Sequence, residues 1–295
     1  MGLAYRSLTA GQWFVGEDVR EDKAPFGQPL FLNIHSVDLT LSYGLSGRLN
    51  ASLTLPFSYG THSRYYGDNA RHKVEAGGLG DVNLMGSFWL LDPLRHADGN
   101  AAVSLGVKAP TGKNDVEDDF FLANGSVVQR PVDQSIQLGD GGWGFLLQAQ
   151  AFRKLFANGY GYANGSYLLS PKNTTDIGSP LPGVPLSVPD VYSGRLGFVY
   201  TLPFAPEISV GFGGRVDGIP IRDVIGESDG FRRPAVIGYA DPSLGVSVGP
   251  YTLTVNVPVR VYADFRPGLL DREFNFAGGG DLAKYLFFFG IDRRF

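Results

Sequence analysis

The chain has 295 residues, 25 basic against 29 acidic side chains, a formal net charge of −4 and no cysteine. A charge this small, carried by scattered rather than clustered basic residues, excludes a nucleic-acid partner. No run of ~18 apolar residues occurs, so a transmembrane helix is excluded, while the lack of thiols is compatible with an oxidising compartment.

From the N-terminus, short segments alternate apolar and polar residues, the period of a β-strand. The expected strands are Leu3–Trp13, Leu30–Tyr43, Arg48–Tyr59, Gly78–Leu91, Asn100–Pro110, Gly142–Lys154, Gly159–Leu169, Val191–Leu202, Glu207–Asp217, Ala235–Val248, Tyr251–Ala263 and Ala283–Phe295. The clearest is Arg48–Tyr59, with Leu49, Ala51, Leu53, Leu55, Phe57 and Tyr59 on one face and Arg48, Asn50, Ser52, Thr54 and Ser58 on the other. Tyr, Phe or Trp stands at many strand ends, where amphipathic rings suit a water–lipid boundary. A soluble sandwich shares the alternation. The number and length of the segments and these terminal aromatics point instead to an all-β, transmembrane antiparallel β-barrel of about twelve strands, filling residues 1–295 as one domain.

Short connections (44–47, 92–99, 156–158, 203–206 and 249–250) alternate strictly with long ones (14–28, 60–77, 111–141, 170–190, 218–234 and 264–282). That alternation predicts short turns toward the periplasm, long loops toward the exterior, periplasmic termini and an even strand count, hence the outer membrane of a Gram-negative bacterium. Met1–Tyr5 has neither a basic nor an apolar leader region, so a signal peptide is expected to have been removed. Pro56, Pro242 and Pro258 fall inside strands and predict bulges or disrupted pairing, each able to reverse the facing of the residues beyond it.

Gly78-Leu79-Gly80-Asp81 opens one strand, and Gly106-Val107-Lys108-Ala109-Pro110-Thr111-Gly112 closes the next. With the terminal aromatic strand, these segments resemble the outer-membrane family named for the meta-pathway of phenol degradation. The close match covers about residues 78–112. The resemblance implies a transporter associated with aromatic compounds, whereas the barrel reading rests on the alternation alone. On the residues themselves two readings stand: the glycines and Pro110 simply permit curvature and a turn, or Asp81 and Lys108, at polar-facing positions on adjacent strands, form part of a lumenal charge array.

Charged side chains on a barrel wall face the lumen by default, because Arg or Lys facing lipid costs about 2–4 kcal/mol at the midplane. The candidate lumen and selectivity residues are Arg48, Asp81, Lys108, Arg195, Arg215, Asp241 and Arg260, and the alternation also turns Tyr262 and Lys284 inward. They would select ions or anionic solutes in an open pore, or cross-link a filled one. Loop 111–141 is the candidate constriction, since Asp118, Asp119, Phe120 and Phe121 join charge to apolar bulk; the alternative is an exposed loop whose apolar residues pack on the barrel rim. Phe289, Ile291 and Phe295 on the last strand form the expected signal to the outer-membrane assembly machinery.

The function expected is passive passage of small solutes, hydrophobic or aromatic by resemblance, with membrane lipid or lipopolysaccharide around the wall and no cofactor. The oligomeric state is left open. A filled structural or interaction barrel is the alternative. A lipid hydrolase is disfavoured because His35 alone of the four histidines lies near the wall, and the adjacent Ser36 faces the opposite side. Asp118, Asp119 and Asp140 could bind calcium, although acidic loop residues are usually solvated.

Overall fold

The computed structural model describes residues 1–24, 27–179 and 183–294. Twelve antiparallel wall strands close into a barrel. They are β1 (Gly2–Val15), β2 (Phe31–Gly44), β3 (Leu49–Tyr65), β4, β5 (Gly99–Lys108), β6 (Gly144–Phe156), β7 (Gly159–Leu169), β8 (Val191–Leu202), β9 (Ala205–Ile219), β10 (Ala235–Val248), β11 and β12 (Gly280–Arg293). Strand β4 is split into β4a (Arg71–Leu79) and β4b (Asn83–Trp89), and β11 into β11a (Tyr251–Asn256) and β11b (Val259–Phe265). Each strand pairs with its sequence neighbour, and β12 returns to β1 from Gly2↔Asp292 to Phe14↔Gly280.

The apolar surface lies outside. Leu105 and Leu196 are each 69% exposed and Val261 70%, and exposed aliphatic or aromatic side chains recur around the wall. A continuous apolar belt of this kind needs lipid to cover it, and closure leaves no strand edge unpaired within that lipid. At the turn end the belt finishes in Tyr43, Phe156, Phe204 and Tyr251, all exposed. Arg293 lies there too, its guanidinium 5.6 Å from the Tyr251 ring. On β12 Phe289 pairs with Tyr5 and Ile291 with Leu3, on the lipid-facing side; Phe295 is outside the described residues.

The in-strand prolines fall where the ladder changes partner. Pro56 sits on β3 between the stretch paired to β4b and the stretch paired to β4a, and its carbonyl accepts the Gly80 N–H at 2.7 Å. Pro258 occupies the break in β11, where the Val257 N–H turns back to the Pro242 carbonyl at 3.2 Å. Proline offers no N–H to a ladder, so these positions lose little by the break.

Four sequence expectations need correction. Residues 60–77 are not a long loop: β3 runs to Tyr65, β4a starts at Arg71, and the pair projects above the apolar belt as a tall hairpin. Its outer face carries Thr61, Ser63, Lys73 and Glu75, which water rather than lipid permits. Arg48 is not on the wall but in the turn before β3, exposed, with Nη1 3.4 Å from the Leu90 carbonyl. A bulge at Arg260–Tyr262 turns Tyr262 outward, where its hydroxyl donates to Glu17 at 3.0 Å. A second bulge, between Leu286 and Ala283 opposite β1, leaves Lys284 exposed rather than in the lumen.

Candidate functional site: the barrel lumen and its loop-end vestibule

The break in β4 is tied shut by the two glycine-containing segments. Lys108, on the inner face of β5, places Nζ 2.6 Å from Asp81, 2.7 Å from Asp140 and 2.9 Å from the Gly142 carbonyl. The second oxygen of Asp81 accepts the Gly112 N–H at 3.0 Å, while the Thr111 hydroxyl donates to the Gly80 carbonyl and accepts from the Val82 N–H. Gly112 and Gly139 cross here so closely that a Cβ on Gly139 would lie 2.6 Å from the Gly112 carbonyl oxygen. With Lys108 and Asp81 almost wholly buried, this cluster is a fastening of loop 109–143 to the wall. Asp140, read from sequence as solvated or calcium-binding, is its third charge. Among the described residues no three His, Cys, Asp or Glu side chains converge as metal ligands.

From the adjoining strand β6 onward around the wall, strand register builds a polar row. Gln150, Asn164, Arg195, Arg215, Tyr239 and Arg260 are successive cross-strand partners from β6 to β11b, so one inward position per strand places them side by side. Arg195 binds Asp241, fully buried on β10, through Nε at 2.7 Å and Nη2 at 2.5 Å. Arg215 binds Asp217 on its own strand at 2.9 Å and lies 4.9 Å from the Phe288 ring. Arg260 has no carboxylate partner among the described residues; it donates to Gln12 at 2.6 Å and to the Ala283 carbonyl at 3.0 Å. The ion pairs therefore run along the wall, not across the lumen. Tyr162 lies over Gly197 and Gly213, where a Cβ would meet its hydroxyl at 2.7 and 2.8 Å. Two bare glycines thus make room for a ring beneath Arg195.

The loop end is different. Residues 117–121 and 127–131 form a small hairpin inside loop 109–143. It leans on β3–β4a: the Glu75 N–H at the outer edge of β4a donates to Asp118 at 2.8 Å, and the Gly67 N–H to the Phe121 carbonyl at 3.3 Å. Phe121 stacks on His72 at 3.5 Å, and Tyr66 meets both Phe120 and Phe121 edge-on. Below, Val132 and Ile136 enter an apolar cluster with Ala10, Leu32, Val74, Ala76, Tyr239, Ala283 and Leu286, all buried. Phe120 and Phe121, the apolar residues of the candidate constriction, pack partly buried against this cluster, and Asp118 and Asp119 are engaged at the hairpin, Asp119 accepting from Gln129 at 2.6 Å.

Asp133 holds the base of this loop. Burial pushes its carboxyl up, but His62, Arg233 and the backbone and hydroxyl of Ser135 outweigh that and bring it down to about 2. Loops 170–190 and 220–234 are joined by Asp190, which is fully buried and accepts from the Ser170 and Val224 backbones, and by Arg232, which grips Asp223 and Ser187 at 2.6 Å each. Between these loops and the 117–131 hairpin lies a vestibule of about 680 Å³, lined among others by Arg64, Phe120, Arg130, Leu186, Ile219 and Phe231. A second cavity of about 840 Å³ opens at the turn end beside Met1, Tyr43, Asn50 and Thr252.

His35 faces outward, its Nδ1 2.7 Å from the Tyr5 hydroxyl. Ser7 is its cross-strand partner, yet among the described residues no hydrogen bond joins the two.

A closed antiparallel barrel with an apolar exterior and charged side chains on its inner wall defines the class: a transmembrane β-barrel. No protein-family model and no curated protein sequence matches the chain. Among solved structures it is similar to an outer-membrane channel from Pseudomonas putida F1, at TM-score 0.61 and 14% identity over 100% of this chain and 95% of that one. It is also similar to the translocator domain of the autotransporter NalP from Neisseria meningitidis (TM-score 0.51, 11% identity, 100% and 88% covered). A third is a variant of the TodX monoaromatic hydrocarbon channel (TM-score 0.50, 7% identity, 100% and 90% covered). At these identities the likeness is one of fold.

Proposed function

We propose that the chain is an outer-membrane channel for the passive passage of small solutes, with its short turns in the periplasm and its long loops outside. The observation that carries this reading is the pattern of charge inside: Arg195 and Arg215 are neutralised by carboxylates on the same side of the wall, so the interior does not need to be bridged to be electrostatically satisfied. Cavities at both ends support it. Loop 109–143, through Phe120 and Phe121, sets access; Arg195, Arg215, Asp241 and Arg260 set selectivity, while Asp81 and Lys108 hold the loop in place. The apolar side of the lumen and the resemblance of residues 78–112 favour hydrophobic or aromatic solutes. The outward face of β12 with Phe289 and Ile291 addresses the assembly machinery, and lipid or lipopolysaccharide surrounds the belt.

The dense packing of the hairpin on the apolar cluster favours a second reading, a closed barrel with a structural role. Liposome swelling with solutes of graded size separates them. Swelling faster than in protein-free vesicles, falling with solute size, is expected of the channel; swelling at the protein-free rate for every solute would overturn it.

A further inference from the structure

We infer that the loop-end vestibule is a binding site for small aromatic carboxylates, an inference that deepens the channel reading by naming a solute class. Four arginines line this cavity, and they are not equivalent. Arg232 is neutralised by Asp223 at 2.6 Å, and Arg233 faces Asp281 at 4.0 Å. Arg64 and Arg130 have no carboxylate within ion-pair distance among the described residues. The Arg130 guanidinium lies instead 4.5 Å from the centre of the Phe120 ring, and that of Arg64 lies between Tyr66 and Phe120, 4.9 and 5.9 Å from their centres.

Two uncompensated cations held over a common aromatic surface form an anion site in a partly enclosed space. A guanidinium offers paired N–H donors matched to a planar carboxylate, and its charge is poorly screened where water is restricted. Asp118, the cross-strand partner of Arg130, is turned away from this role because its oxygens accept the Glu75 and Asp119 backbone N–H groups at 2.8 Å each. Asp133, the one carboxylate in the lining among the described residues, is committed to Ser135 by two hydrogen bonds of 2.8 and 3.0 Å. The remaining wall includes Leu186, Ile219 and Phe231, suited to the face of a ring rather than to a hydrated inorganic ion. A volume of about 680 Å³ is in the range of small-molecule sites and admits a one- or two-ring acid. The carboxylate takes Arg64 and Arg130, and the ring takes the apolar side.

Isothermal titration of the full chain in detergent tests the assignment with three probes: benzoate, its neutral analogue benzyl alcohol, and inorganic phosphate. Benzoate is expected to bind saturably, with benzyl alcohol and phosphate each at least tenfold weaker. The double variant Arg64→Gln/Arg130→Gln should lose benzoate binding by at least tenfold, while Arg95→Gln at the distant turn end leaves it unchanged. Equal binding of benzoate and benzyl alcohol would overturn the anion half, and phosphate binding as tight as benzoate would overturn the aromatic half. Both comparisons use the unaltered protein, so they stand if the double variant fails to fold. Binding without liposome swelling would sink the channel and keep the site; swelling without benzoate binding would do the reverse.

Discussion

The two sides of this lumen solve the problem of an interior differently. Around β8–β10, inward charges sit in register and are neutralised by neighbours on the same side, as Arg195 is by Asp241 and Arg215 by Asp217. Around β12, β1, β2 and β4a, the loop-end half is apolar and is filled by a hairpin from loop 109–143. A wall whose polar groups are satisfied along its own surface can border open space; an apolar wall cannot border water without cost and is covered by a loop. In the proposed channel, the polar side would border the passage and the apolar side would seat the hairpin as its gate.

The comparison is broken most severely at the fastening between the two. Lys108→Met would leave the nearly buried Asp81 and the partly buried Asp140 without their cation and should destabilise the barrel by about 3–5 kcal/mol, read from denaturant unfolding by tryptophan fluorescence in detergent. On the polar side, Arg195→Ala strips the fully buried Asp241 of its partner. Its cost should be lower, about 2–3 kcal/mol, because Arg195 is partly open to the lumen. Unaltered stability in either variant would show that the ion pair contributes nothing to the wall.

A smaller effect tests the apolar side through pH. Asp133 is held down at about 2 in the folded chain, below an ordinary carboxyl near 4. Its contribution to loop docking is therefore complete above about pH 4 and is lost as pH falls through about 2. Pepsin cleavage between residues 113 and 138 should stay slow near pH 4 and accelerate as pH approaches 2, whereas Asp133→Asn should be cleaved readily at pH 4. The smallest effect falls on Arg260, the cation of the row without a carboxylate. Arg260→Gln should shift reversal potentials toward cations while changing stability by no more than about 1 kcal/mol.

Much of the wall is legible in the sequence because lipid and lumen impose opposite demands on alternate residues. Leu49 to Tyr59 and Tyr251 to Val255 face as their alternation requires. Where lipid ends, so does the signal: β3 beyond Tyr59 and β4a carry polar residues on their outer face, and the hairpin reads as a loop. The inward pair Val74 and Ala76, both buried, is the available clue. Bulges hide the facing of Tyr262 and Lys284, since one inserted residue reverses the alternation beyond it and leaves no compositional mark. Asp81 and Lys108 are legible as a pair on adjacent strands, but Asp140 reaches them only through the path of a long loop. Arg64 and Arg130 are invisible as a site because their common partner, Phe120, joins them only in three dimensions.

The central claim is that a passage runs beside a removable gate, and planar-bilayer conductance of two proteins tests it most directly. One is the unaltered chain; in the other, residues 117–131 are replaced by a short Gly-Ser link. Discrete conductance steps are expected from the unaltered chain, with larger and longer openings once the hairpin is gone. Bilayers that remain silent with both proteins would contradict the account, because a lumen closed without its gate is a filled barrel.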